Sequence, residues 1–234
     1  WLDAARRENL DAFAASGLPD TRVEAWKYTA LRALGQRRFA TLDIAALAAA
    51  VDAASVALPG VDGPRLVFVN GVFRAELSQL GNLPEGLTLE PLSQALASDA
   101  QPLRFSLSRR YREPGDAFAR INAARAQDGV VLRVANHAEI TAPVHLVFVA
   151  AADAVDLAWH VRNVIELGEG AVLNLVEQHM ASGEPAQLAT FISDIELRDG
   201  ARLQHTVLQN AAAGTHLIRR SGLRLHAQAQ ATVH

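Results

Sequence analysis

The 234-residue chain contains no cysteine. Disulfides, thiolate metal ligands and a cysteine nucleophile are thereby excluded within it. Lysine is almost missing as well: Lys27 is the single one, and every other basic residue is arginine. That is a compositional bias, like the abundance of alanine, and not a phosphate-binding feature. The formal net charge is −3, so no basic excess points to nucleic acid or to an anionic membrane. No apolar run approaches the roughly 20 residues of a membrane span, and no segment reads as a signal peptide. A cytoplasmic protein is the expectation. A glycine-rich loop ending in Lys-Ser or Lys-Thr is absent, so the chain is not expected to hydrolyse ATP itself. No Gly-x-Ser-x-Gly elbow is present. Glu166, Glu177, Asp194, Glu196 and Asp199 are scattered, and their expected place is a solvated surface, with no paired-acid geometry.

What the chain does have is a repeat. Leu132, Val134, Ala138 and Ile140 share one apolar template with Ile165, Leu167, Ala171 and Leu173. Ile195, Leu197, Ala201 and Leu203 repeat it, and so do Leu223, Leu225, Ala229 and Ala231. The unit recurs after 33, 30 and 28 residues (132 to 165, 165 to 195, 195 to 223). Ile-Glu-Leu at 165–167 and 195–197, and Leu-Arg-Leu at 223–225, alternate with period two, which is the pattern of strands. Gly170 and Gly200 precede two of the alanines, where a tight bend needs a small residue or positive φ. A period near thirty without a helical stripe predicts a β-solenoid, in which stacking buries what one turn cannot. A β-sandwich with coincidental similarity is the competing reading. The alanine column should run along one inner edge, and the windings should coil as a right-handed parallel β-helix. Val144–Val149 is expected as a second strand of the first coil after a turn at Thr141–Pro143. Ala158–Val161 is expected as a third, repeated at Phe191-Ile192, with Trp159 either inside or shielding a seam. Loops are expected at Ala181–Pro185 and Ala211–Gly214.

The preceding part reads differently. Residues 1–16 form an amphipathic helix with Leu2, Ala5, Leu10, Phe13 and Ala14 on one face, stopped by Gly17 and Leu18-Pro19. Thr21–Thr29 is dense in aromatic and charged residues. Trp26 and Tyr28 there predict a small core with polar tips at its edge, the alternative being a contact surface for a partner. Asp43 is placed to cap a short helix through Ala54. Asn70-Gly71 between Leu66–Val69 and Val72-Phe73 predicts a hairpin, because a type I′ turn needs positive φ at both central residues. Residues 78–92 read as loop and Ser93–Ala97 as a short helix. Pro114-Gly115 opens a helix over Asp116–Ala126 with Phe118, Ile121 and Ala124 as its stripe, ended by Asp128-Gly129. The division expected is therefore 1–128, helix-rich with a β-hairpin, and 129–234, the N-terminal part of a β-helix. The fold class is mainly β with an α-rich N-terminal domain.

All eight histidines follow residue 136: His137, His145, His160, His179, His205, His216, His226 and His234. Imidazole is a common metal ligand, yet none of these pairs has the i, i+4 spacing of a helical zinc motif. In the repeat register His205 matches Leu175 and Val233, so it reads as a hydrogen-bonded interior histidine, and the others as surface groups. No catalytic, cofactor or metal residue is assigned.

Several stretches together resemble the SufD family of iron–sulfur cluster assembly proteins. They are Glu24-Ala-Trp26-Lys27-Tyr28-Thr29-Ala-Leu31, Val67–Gly71, Ile121-Asn-Ala-Ala with Asp128–Leu132, and Arg162–Ala171. The resemblance runs over essentially the whole chain, and the Trp-Lys-Tyr-Thr segment is its most specific part. With the lack of cysteine it favours SufD over SufB. It implies a helical N-terminal domain, a right-handed parallel β-helix and C-terminal helices. It also implies pairing with SufB through the β-helix, docking of the ATPase SufC, and a non-catalytic role in iron acquisition and cluster assembly. The cluster is then handled by the complex, with no cofactor bound by this chain. Measured against that pattern the sequence stops early, before the later β-helix and the helices that dock SufC. The family's cluster-associated histidine cannot be carried onto any histidine here, and the last coil is expected to pair with another copy. Two other function classes fit a β-helix: a polysaccharide-binding protein or enzyme, and a histidine metal-binding protein.

Overall fold

The computed structural model describes residues 1–41, 51–153 and 155–234. Asp43 and most of the helix expected after it lie outside that set. Helix α1 (Leu2–Ser16) ends at Gly17, whose N–H still bonds to Phe13 O at 2.8 Å and whose positive φ turns the chain out of the helix. It buries Ala5 and Asn9, while Leu2, Leu10 and Phe13 are half-buried and Ala14 is exposed. Trp26 is anchored: its indole N–H donates to Gly115 O at 3.1 Å and its ring meets Phe118 at 5.1 Å. Tyr28 is not core, being 91% exposed. Only one residue of that pair was needed to pin the segment. After α2 (Arg32–Gln36) comes a two-residue strand, β1 (Ala40–Thr41). The hairpin is β2 (Arg65–Val69) and β3 (Val72–Phe73), with φ of 48° at Asn70 and 79° at Gly71.

The stretch 78–92 is not all loop. Strand β4 (Leu87–Pro91) pairs antiparallel with residues 130–134, burying Leu87, Leu89 and Pro91. Leu-Thr-Leu-Glu alternates correctly for a strand, and the flanking prolines and glycines masked it. Helices α3 (Leu92–Ser98), α4 (Arg104–Leu107) and α5 (Ala117–Arg125) follow. In α5 Phe118 is buried, but Ile121 and Ala124 are only partly so; the buried companions are Ala117, Ala119, Arg120 and Asn122. Asn122 is buried because its side-chain amide bonds across to the sheet, donating to Val161 O (2.9 Å) and Thr190 O (3.1 Å).

Eight strands then alternate between two sheets. They are β5 (Val130–Val134), β6 (Glu139–Ala151), β7 (Leu157–Leu167), β8 (Val172–Ser182), β9 (Leu188–Leu197), β10 (Arg202–Asn210), β11 (His216–Leu225) and β12 (Gln230–Val233). One sheet runs β11-β9-β7-β5-β4, with β1 also on β7; the other runs β12-β10-β8-β6-β2-β3. All pairings among β5–β12 are parallel. The chain is thus a β-solenoid with the N-terminal helical region before it. Each winding has two long strands, not three short ones. Thr141–Pro143 is a bulge inside β6, where the register shifts between Ile140 and Val144, and Ala158–Val161 belongs to the same strand as Ile165–Leu167. A proline in a strand sits at such a bulge because it lacks the N–H for the ladder.

The repeat template is the corner. Ala138, Ala171, Ala201 and Ala229 each close a four-residue turn by donating to the carbonyl three residues earlier, at 3.0–3.2 Å. The residue before each alanine, His137, Gly170, Gly200 or Gln228, has φ between 57° and 68°, as a type II turn demands of its third position. The rungs align: Leu132, Ile165, Ile195 and Leu223 are register partners up one sheet, and Ile140, Leu173, Leu203 and Ala231 up the other. The alanines stack in turn, with Ala138 O taking Val172 N–H, Ala171 O taking Arg202 N–H and Ala201 O taking Gln230 N–H.

Phe68, Phe148 and Phe191 fill the centre, each contributing roughly 2–3 kcal/mol by burial. Trp159 is inside, edge-on to Phe191 at 5.3 Å. On the last winding, Leu223 and Leu225, interior by register, are exposed. Among the described residues no helix is long and apolar enough to cross a membrane.

Candidate functional site: a buried carboxylate held by two histidines and an arginine

Strand parity decides this site. On β8, Leu173, Leu175, Glu177 and His179 point inward and are buried. Glu177, expected on a coil surface, is therefore 1% exposed, in the solenoid interior. His179, also expected at the surface, ends a stacked file: Phe68 on Phe148 at 5.4 Å, then Phe148 on His179 at 5.4 Å. His205 on β10 is buried opposite Leu175 and Val233, as the repeat register predicts. Arg219 reaches in from the opposite sheet, in register with Phe191 of β9.

The carboxylate is saturated. Oε1 accepts from His179 Nε2 at 2.7 Å and Arg219 Nε at 3.0 Å; Oε2 accepts from His205 Nε2 at 2.9 Å and Arg219 Nη2 at 3.1 Å. Both imidazoles thus carry their proton on Nε2, since a carboxylate can only accept. Burial by itself would raise the Glu177 pKa; the hydrogen bonds from His179 and His205 and the Arg219 charge outweigh it and hold the group well below the usual carboxylate range. A carboxylate bonded on both oxygens is not a free base and has no open ligand position. Among the described residues no group of three metal-capable side chains is arranged to hold an ion. His179 Nδ1 is buried without a partner.

The other histidines divide. His145, expected at the surface, is fully buried on the outward side of β6, with Nε2 at 2.9 Å from Gln178 Oε1. His160 meets the Thr190 hydroxyl at 2.7 Å and His226 meets Glu196 at 2.9 Å. His216 lies 3.2 Å from Arg37, while His137 and His234 are exposed. Of the eight, His179 and His205 meet at Glu177, and that carboxylate is already filled. The charge of Glu177 points to a surface place, whereas parity counted along β8 from Leu173 puts it inside.

A second polar knot lies on the outer face of the β7 sheet. Arg162, 3% exposed in its side chain, donates to the Tyr111 hydroxyl (2.6 Å), Ser106 O (2.9 Å) and Asp194 (2.6 Å). Arg109 and Arg220 also flank the Tyr111 ring, at 5.6 and 5.4 Å. Asp194 is therefore the counter-ion of a docked helical layer, not a solvated surface group. Beside it runs a groove of about 560 Å³ between Phe105 and Gly222.

Residues 1–146 match the family description "SufBD protein N-terminal region", and residues 148–234 match "SUF system FeS cluster assembly, SufBD core domain". The chain is 27% identical over 213 residues to a protein of Synechocystis sp. described as an iron-sulfur cluster assembly SufBD family protein, covering 86% of this chain and 46% of that one. It thus spans about half the length of that relative. Two consecutive matches over a parallel solenoid leave one assignment: this chain belongs to the SufBD family.

Proposed function

We propose that the chain serves iron–sulfur cluster assembly as a non-catalytic scaffold subunit of the SUF machinery, in the role of SufD. Its partners in this reading are SufB and the ATPase SufC, in a cytoplasmic complex, with the iron–sulfur cluster as cargo of the complex. Pairing with SufB runs through the β-helix, and without SufB a second copy of the chain takes that place. The observation that carries the reading is the pair of family matches covering both the helical layer and the solenoid. The saturated Glu177 cluster supports a scaffold, because its groups are spent on each other and not aimed at a substrate.

The test is co-expression of the tagged full-length protein with SufB and SufC. A stable complex in which ATP hydrolysis depends on SufC alone, and in which omitting this subunit lowers the cluster content, is the expected result. Absence of association with both partners, or unchanged cluster content without the subunit, overturns it.

A further inference from the structure

A small cavity lies under the helical layer, where α1, α3, α4 and α5 meet strand β7. Its walls are aliphatic, Leu92, Leu96 and Leu107 among them, apart from Arg6 and Arg162. Its volume is about 20 Å³. That is room for one water-sized occupant, which needs about 10–15 Å³.

The two arginines arrive differently. The Nη groups of buried Arg162 are spent on the Tyr111 hydroxyl, Ser106 O and Asp194. None of those three residues lines the cavity. The Nε of Arg162 is buried and has no partner among the described residues, so it is the donor left for the cavity. A buried N–H without an acceptor is costly. Arg6 donates from Nη2 to the carbonyl of Ala126, itself a lining residue, at 2.9 Å. That bond brings its guanidinium to the cavity edge. Asp194 offsets the charge of Arg162, whereas Arg6 pairs with no carboxylate among the described residues.

The lining selects its occupant. Guanidinium groups only donate, and none of the lining side chains among the described residues accepts a hydrogen bond. A water there would satisfy Nε–H but find no side-chain acceptor for its own hydrogens, and buried waters need 2–4 polar partners. Carboxylates and tetrahedral oxyanions exceed the space. An anion of one atom accepts from Nε–H, donates nothing and neutralises Arg6.

We propose that this cavity holds a single halide ion, chloride, between Arg162 Nε–H and the Arg6 guanidinium, where it fastens α1 and the end of α5 onto β7. The site is separate from the assembly role, and its test does not depend on that reading.

The test has two readouts on the full chain. Thermal melts are compared in sodium chloride, sodium bromide and sodium gluconate at equal ionic strength, gluconate being too large to enter. Chloride and bromide should raise the midpoint saturably, as a ligand of the native state does, and gluconate should not. Arg6→Met keeps the stem and removes the charge. It should raise the half-saturating chloride concentration about tenfold, the scale of one charge-assisted bond, and Arg6→Lys should retain part of the affinity. Crystals soaked in sodium bromide should show an anomalous peak beside Arg162 Nε, and this readout decides alone if Arg6→Met fails to fold. Equal midpoints in chloride and gluconate, a chloride response unchanged in Arg6→Met, or no bromide peak in the cavity overturns the proposal.

Discussion

Glu177 and Arg219 face each other across the interior of the solenoid, from β8 in one sheet and β11 in the other, joined by two parallel bonds of 3.0 and 3.1 Å. They tie the second winding of one sheet to the last winding of the other. Removing one partner of a buried pair leaves the other uncompensated. Glu177→Ala is expected to cost about 3–5 kcal/mol in urea unfolding. Glu177→Leu with Arg219→Met should recover most of the loss, because apolar replacement of the whole pair removes the desolvation cost too. An unchanged midpoint in Glu177→Ala would show the cluster to be energetically idle.

Acid should act in two windows. The His160 pKa is about 4 in the fold, below its ordinary value of 6.5. Its contribution is therefore full above pH 6.5 and declines as pH falls to about 4. Glu177 is held below the ordinary carboxylate range, so its contribution is lost below about pH 4. Denaturant midpoints against pH should show both declines. His160→Gln should flatten the upper one and Glu177→Gln the lower one. A single decline untouched by either variant would refute the assignment.

Two glycines should differ sharply. At Gly129 a Cβ would stand 2.0 Å from Arg162 O, a backbone atom that cannot yield. At Gly200, with φ of +68°, the nearest atom is 4.0 Å away. Gly129→Ala should abolish cooperative folding, whereas Gly200→Ala should cost only about 1–2 kcal/mol of left-handed backbone strain. Circular dichroism melts decide between them.

Arg37 binds three successive loops between windings. It donates to Asp156 at 2.6 Å, Ala186 O at 2.6 Å and Gly214 O at 3.1 Å. Arg37→Ala should speed amide exchange in all three loops at once and lower stability by about 2 kcal/mol. Arg37→Lys should not restore protection, since one ammonium cannot reproduce the fork. Faster exchange in one loop only would show the bonds to be independent.

Legibility followed periodicity. The four templates at 132, 165, 195 and 223 predict the register because stacking makes equivalent residues neighbours, and the hairpin at Asn70-Gly71 follows from backbone sterics alone. Strand length was harder. The bulge at Thr141–Pro143 resembles a turn locally, and only pairing with β8 keeps β6 one strand. Tyr28 and Trp26 look alike in sequence, yet Gly115 and Phe118 lie within reach of Trp26 alone.

The amino-acid sequence by itself determined the repeat, the strand period and the corner turns, because these rest on local backbone preference and on which side chains avoid water. It also carried the segments by which the family is recognised. Only the tertiary structure decided that Glu177, His179, His205 and Arg219 meet, or that Asn122 of α5 reaches Val161 and Thr190. Those meetings join residues tens of positions apart, and their partners are chosen by the stacking of windings and the docking of helix α5, which no local pattern encodes.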